Sequence, residues 1–378
     1  MTTVEPKSSL EKAQPTTATA RPGLFRRHSK SARAKRRLVS QTYWAQEQRV
    51  RESGISLPMR MELLSKFGDF SMAYSTAVQP RLNYFGDSDG YLAYRQRWGM
   101  SFVLGDVVAS NQDTPVLIDK FIESHKRSTF CQITRPLAEL LSQRGFFVNE
   151  MGVDTTLQLN DYNFDGKHKE WLRYAANWTA KRDFEIVEAG FDRITPDDVE
   201  EVSEAWRTTR TVKRKEVRFL NRPIVLEDEL GVRKFFLLSP EKKLLAFVFL
   251  DPIFKNGKTI GYVTAFKRRH PEAPLYAEHA IMKRIIETLK LEGVEQLNLG
   301  LSPMAWIEDN DFRCNRVTSG LFRRAFESNL LNRYCYNVVG HAAYKRRFRG
   351  EEEKVYFASQ SRFNSLRLLA LIGLCGIA

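Results

Sequence analysis

Twice along this chain, a pair of neighbouring strand-like segments is followed by an amphipathic helix and then another strand. This repeat limits the fold more than any single motif does. In the first unit, GYLAYR (90–95) and MSFVLGDVVA (100–109) read as adjacent strands. TPVLIDKFIESHKR (114–127) then reads as a helix with Val116, Leu117, Phe121 and Ile122 on one face. The strand FCQIT follows, then a helix that stops at Gly145 before a closing strand ending in TTLQL. In the second unit, TPDDVEEVSEAWRTTR (195–210) opens a helix with Thr195 as N-cap and acids in the first turn. KKLLAFVFLDPIF and KTIGYVTAF are the paired strands, LYAEHAIMKRIIETLKLEG (275–293) is the helix with Ala277, Ile281, Ile285 and Leu289 inward, and EQLNLGLSP is the next strand. KEWLRYAANWTAKRDFEIVE (169–188) has helical spacing and joins the units. The expectation is an α/β chain with two cores and an internal duplication of fold: a first domain over 51–190 that includes the linking helix, and a second over 191–360.

The flanks differ from this body. Residues 1–50 carry eleven Lys/Arg against three Glu, which is +8 of the chain's net +14. Residues 1–40 are poor in large apolar groups, so the stretch reads as a disordered basic arm suited to phosphates on a nucleic acid or an anionic membrane. Residues 361–378 end in the apolar run LRLLALIGLCGIA, which suits either a membrane interface or a capping element of the core. It is too short to span a bilayer, and no stretch of 18 consecutive apolar residues occurs, so no transmembrane helix is expected. The N-terminus has charge without an apolar stretch behind it, unlike a secretory signal. Cys131, Cys314, Cys335 and Cys375 are scattered without a CxxC pair, which argues against zinc or a disulfide framework and fits a reducing cytoplasm.

Several segments, in order, resemble the catalytic domain of the phosphatidylglycerol lysyltransferases and alanyltransferases, the multiple-peptide-resistance family. They are GDSDGYLAYR with FVLGDVV, then GKHKEWLRYAANWTAKRDFEI, LNLGLSPMA (297–305) and YNVVGHAAYKRRF (336–348), spread over roughly residues 60–358. The resemblance implies two tandem GNAT-like (acyl-CoA N-acyltransferase-like) domains with mixed central sheets. It also implies transfer of an amino acid from aminoacyl-tRNA to the hydroxyl of an anionic membrane lipid. The work would be done by a peripheral enzyme at the inner face of the cell membrane. The chain departs from the family in AFKRRHPEAPLYAEH (265–279), where two usually acidic positions are Ala265 and His279. Those acids are associated with recognising the donor's amine, so lysine as donor does not follow. Two other readings stay open: a related transferase acting on peptide or protein, and a non-catalytic tandem GNAT protein that binds tRNA or anionic lipid.

An aminoacyl ester is already activated, so the protein need only position the acceptor, stabilise an oxyanion and let a proton leave. No nucleophile elbow, HExxH or Walker A sequence is present, and no metal site or cofactor is expected. The turn RRHPEAPLYAEH has two prolines and no glycine where acetyl-CoA-dependent relatives cradle a pyrophosphate, which disfavours acetyl-CoA. The resemblance marks Lys345 as the first catalytic candidate, a cation for phosphate, and Arg268, with Arg269 beside it, as an anion clamp. Asn298 and Ser302 flank a strand end at Gly300, where ligands tend to bind in open sheets. Tyr336 and Asn337 are candidates for shaping the aminoacyl pocket, and His279 for contacting the amino acid or acting as a base. The basic run holding Arg210, Lys213, Arg214 and Lys215 is a candidate surface for a tRNA stem or lipid phosphates.

Overall fold

The computed structural model describes residues 55–209, 217–334, 337–361 and 364–376. The basic arm and the residues Arg210, Lys213, Arg214, Lys215 and Tyr336 lie outside these described residues. Two helices, α1 (Leu57–Phe67) and α2 (Ala73–Val78), precede an antiparallel run of β1 (Asn83–Asp87), β2 (Gly90–Arg97) and β3 (Met100–Ala109). Helix α3 (Asp113–Ser124) crosses to β4 (Ser128–Ile133), which lies parallel to β3. The buried residues of α3 are Leu117, Ile118 and Phe121, whereas Val116 is exposed. The spacing had Val116 inward because several faces of a short helix fit a handful of apolar residues. Helix α4 (Arg135–Gln143) then leads to the long strand β5 (Phe147–Gln158).

The second half repeats this order. After α5 (Glu170–Ala180) and β6 (Glu185–Glu188) come α6 (Pro196–Thr209), β7 (Arg233–Leu238), β8 (Leu244–Lys255) and β9 (Lys258–Arg269). Thr195 caps α6, its hydroxyl oxygen accepting from the Asp198 amide at 3.2 Å. Helix α7 (Ala277–Leu291) buries Ala277, Ile281, Ile285 and Leu289 as its periodicity requires, and leads to β10 (Gln296–Pro303), parallel to β9. Then follow α8 (Arg316–Glu327), α9 (Asn329–Tyr334), α10 (Val338–Arg346), β11 (Glu351–Ser359) and α11 (Ser365–Cys375).

All the strands form one sheet, ordered β1-β2-β3-β4-β11-β5-β10-β9-β8-β7-β6. The order is nearly a palindrome of the two halves: β1 to β4 on one side correspond to β7 to β10 on the other. At the centre each half gives its last strand away. β11, at the end of the second half, lies antiparallel to β4 of the first. β5, at the end of the first half, lies antiparallel to β10 of the second. The two donated strands pair with each other along Glu351–Ser359 and Phe147–Thr156. Each unit therefore matches the expected GNAT-like arrangement, a mixed α/β sheet with one helix-linked parallel pair, and the exchange fuses both units into one sheet.

This exchange gives the halves a shared core. Phe357 in β11 is fully buried among Phe102, Leu104 and Cys131 of the first half. Phe357→Ala is expected to cost about 3–5 kcal/mol, read as a lower urea midpoint. Near-UV and far-UV signals should still report one transition, because neither half can lose β11 or β5 alone.

Candidate functional site

The chemistry-bearing side chains collect where β9 and β10 part. Their parallel pairing covers only Gly261–Val263 against Gln296–Asn298. Beyond it β10 bulges, with a register shift between Asn298 and Leu301 against β5. Gly300 makes the bulge possible: its φ of +77° is costly for a residue with a Cβ. Asn298 fixes it from the side, its Oδ1 accepting from the Gly300 amide at 2.6 Å while its Nδ2 donates to Thr156 Oγ1. The bulge aims two carbonyls away from the sheet ladder, and both are taken by one side chain. Lys345 Nζ, from the last turn of α10, donates to Gly300 O at 2.7 Å and Leu301 O at 2.6 Å.

Lys345 is only 5% exposed. Burial, then the neighbouring Lys267 charge, lowers its pKa to about 7, with Asp154 opposing. It is therefore not a fixed cation at neutral pH. As a free amine it has two N–H groups, both committed to the carbonyls, and a lone pair left to accept a proton. Asp154 sits opposite Leu301 on β5, accepts from Ser71 Oγ at 2.6 Å, and is itself raised by burial.

On the elements that carry this amine and its neighbours, β9, β10, α7 and α10, several buried polar groups are unsatisfied. Ser302 Oγ, Thr264 Oγ1, Tyr344 OH and both ring nitrogens of His279 have no hydrogen-bond partner among the described residues. Buried polar groups are ordinarily paired, so such a concentration marks a place where a ligand supplies the partners. One wall is aromatic. His279 on α7 meets Trp171 of α5 edge-on at 4.6 Å and Tyr344 of α10 at 5.3 Å, with Phe348 behind both. Lys267 Nζ lies 4.2 Å above the Tyr344 ring. Burial first, then the charges of Arg347, Lys267 and Arg269, lowers His279 to about 4. The ring is thus neutral at physiological pH, and an NMR titration should show no protonation of His279 between about pH 5.5 and 8.

Lys345, Asn298, Ser302 and His279 are thus gathered at or beside the strand divergence. Arg268 is not. Across the ladder it stands opposite Phe247, on the side facing α6, whereas Lys267 stands opposite Val248, on the side facing α7. Arg268 is 4% exposed, and its guanidinium stacks 5.0 Å from the centre of the Trp206 ring of α6. Arg269 donates to Pro274 O and braces the turn before α7. Asn337 caps α10, its side chain accepting from the Gly340 amide at 2.8 Å. Sequence reasoning passed over Lys267, Trp171, Tyr344 and Asp154. The strand alternation in AFKRRH was the available signal for Lys267: neighbours in a strand face opposite ways, so Arg268 and Lys267 could not both line one cleft.

The sequence profile described as "Phosphatidylglycerol lysyltransferase, C-terminal" matches residues 61–359, most of the chain and all of this site. The chain belongs to that family. A curated phosphatidylglycerol lysyltransferase from Bacillus subtilis (strain 168) is 22% identical over 286 residues, covering 74% of this chain and 32% of that protein. The chain therefore spans about a third of its curated relative. Among solved structures, L-PGS from Bacillus licheniformis superposes with a TM-score of 0.69 at 17% identity, covering 84% of this chain and 96% of that one. The C-terminal domain of an Agrobacterium fabrum protein described as a lysylphosphatidylglycerol synthetase gives 0.70 at 20% identity, covering 85% and 97%. These structures share the fold of this chain. Among its described residues, no helix is long and apolar enough to cross a membrane.

Proposed function

We propose that this domain transfers an aminoacyl group from aminoacyl-tRNA to the hydroxyl of a phosphatidylglycerol-like lipid at the inner membrane surface, with Lys345 as general base. The observation that carries the proposal is Lys345 itself: a buried amine, near-neutral in pKa, with its two N–H groups tethered and unpaired polar groups around it. Membership of the family supplies the substrate class. In the step, the lipid hydroxyl oxygen attacks the ester carbonyl while its proton passes to Lys345 Nζ. The C–O bond to the terminal ribose then breaks, and the departing ribose oxygen takes the proton from the Lys345 ammonium, which restores the free amine. Lys267 beside the site offers positive charge to the oxyanion between these events.

The turn before α7 supports tRNA rather than acetyl-CoA as donor. Its amides at Ala273 and Ala277 are spent on His270 O and Pro274 O, and the Glu272 amide on His270 Nδ1, so fewer remain to cradle a pyrophosphate. The neutral His279 beside Trp171 and Tyr344 stands where the family usually carries an acid, which favours a donor side chain other than lysine. The test is lipid mass spectrometry after expression, with each aminoacyl-tRNA supplied in turn. A new aminoacylated lipid that disappears in Lys345→Met supports the reading. No new lipid under any supply overturns it, and salt-sensitive tRNA binding without product would leave a binding protein.

A further inference from the structure

We propose that the β2–β3 hairpin tip and the outward face of α11 form one docking surface for the headgroup layer of an anionic bilayer. The proposal rests on the lipid-transfer reading only for why a bilayer should be near; its geometry is independent of Lys345.

Helix α11 buries Ala370, Leu371, Leu374 and Cys375 against the core, and among the described residues its opposite face is exposed. Leu366 is 66% exposed, Leu369 54% and Ile372 39%. Leu366, Leu369 and Gly373 follow one another at i, i+3 and i+7, so they form one stripe. Arg97 lies on the end of that stripe: a Cβ at Gly373 would come within 2.6 Å of its Cζ. The same Cζ is 5.1 Å from the ring of Trp98, which is 57% exposed at the hairpin tip. Trp98 and Gly99 have φ of +52° and +66°, the signature of a tight two-residue turn that holds the indole outward. Arg97 therefore joins the tryptophan to the aliphatic stripe.

Among the described residues, the arginines that act on Arg95 beside this strip form a positive cluster. Arg95 is half-buried beside Arg81, Arg218 and Arg97, and its desolvation, then their charges, lower its pKa. The Arg218 amide donates to Cys375 O at the end of α11, which fixes this cluster at the helix terminus. None of these four arginines has an ion pair with a carboxylate among the described residues, and Arg97 Nε is buried without a partner. Aliphatic side chains that enter the acyl boundary, an indole for the interface and arginines for lipid phosphate are what an anionic bilayer rewards. A tRNA would answer the arginines alone and gain nothing from Leu366, Leu369 or Ile372.

The test uses the full chain in flotation with phosphatidylcholine vesicles, with and without phosphatidylglycerol. Two variants alter only exposed positions: Trp98→Ser with Leu366→Glu and Leu369→Glu, and Arg81→Glu with Arg218→Glu. Each should weaken binding to the phosphatidylglycerol vesicles by about tenfold or more. Unchanged thermal unfolding should show that the fold is intact. Aminoacylation of short-chain, monomeric phosphatidylglycerol should stay at the wild-type rate. Binding equal to wild type in both variants overturns the proposal, as does wild-type binding that ignores phosphatidylglycerol. Loss of tRNA binding in place of vesicle binding, or loss of a dimer in solution, would give the surface to those partners and overturn it as well. If the wild type binds vesicles but makes no aminoacylated lipid, the transfer reading fails and the docking surface stands.

Discussion

Lys345→Met is expected to lower the transfer rate by about 10²–10⁴-fold, the usual worth of a positioned general base, while leaving binding of aminoacyl-tRNA largely intact. The pH profile separates a base from a cation. With the Lys345 pKa lowered to about 7, the free amine grows from pH 6 to 8, so the wild-type single-turnover rate should climb through pH 7 and level off. The residual rate of Lys345→Met should lack that limb. Lys345→Arg keeps a charge that cannot be lost, so it should fail to rescue; a rescue would make Lys345 an electrostatic anchor. The same shift has a stability consequence of definite sign. A buried lysine whose folded pKa lies below its unfolded value pays its full charging cost below pH 7. That cost is relieved as pH rises from 7 toward 10.5, where the unfolded chain binds more protons. Wild type should therefore gain on Lys345→Met in urea midpoint over that window.

The largest stability effect is expected at Arg222. Its guanidinium donates through Nε and Nη2 to both oxygens of Asp251 at 2.8 and 2.6 Å, and through Nη1 to Glu229 at 2.9 Å. Its side chain is 3% exposed and that of Asp251 5%. The same group stacks between Tyr74 of α2 and Phe266 of β9. Arg222 thus pins the loop before β7 onto elements of both halves, helped by Gln79 Nε2 donating to Phe219 O and Tyr74 OH to Leu230 O. Arg222→Ala strands two carboxylates in a dry interior and should cost about 3–5 kcal/mol in urea unfolding. Arg222→Lys should recover part of this, because one ammonium cannot reproduce the fork. Arg222→Met with Asp251→Leu and Glu229→Gln should lose less than Arg222→Ala alone, since the penalty lies in the orphaned charges. A triple variant weaker than the single one would show that the pair itself is the source of stability.

Where the sequence spoke clearly, local physics was enough. The periodicity of α7, the Thr195 cap, the paired strands β2 with β3 and β8 with β9, and the stretch carrying Gly300 all follow from side-chain spacing and turn chemistry within a few residues. Lys345 and Ser302 were legible through motifs that hold their order along the chain. The burial of Lys345 was not: a lysine in AYKRRF reads as one of a basic run until the Gly300 bulge is seen presenting two carbonyls to it. Nor was the separation of Arg268 from the cleft, although strand alternation carried the hint.

By itself the sequence determined two α/β units, their helices and most strands, and membership of a lipid-aminoacylating family. Only the tertiary structure decided that EEEKVYFAS (351–359) is a strand of the first unit and that β5 serves the second. The reason is physical. A helix or hairpin is fixed by neighbours in the chain, but a strand's partner is chosen by which sheet edge is open when both cores close. The same holds for the site, where Trp171, His279, Lys267, Asp154 and Lys345 come from five different elements and meet only once the exchanged strands have fused the two halves.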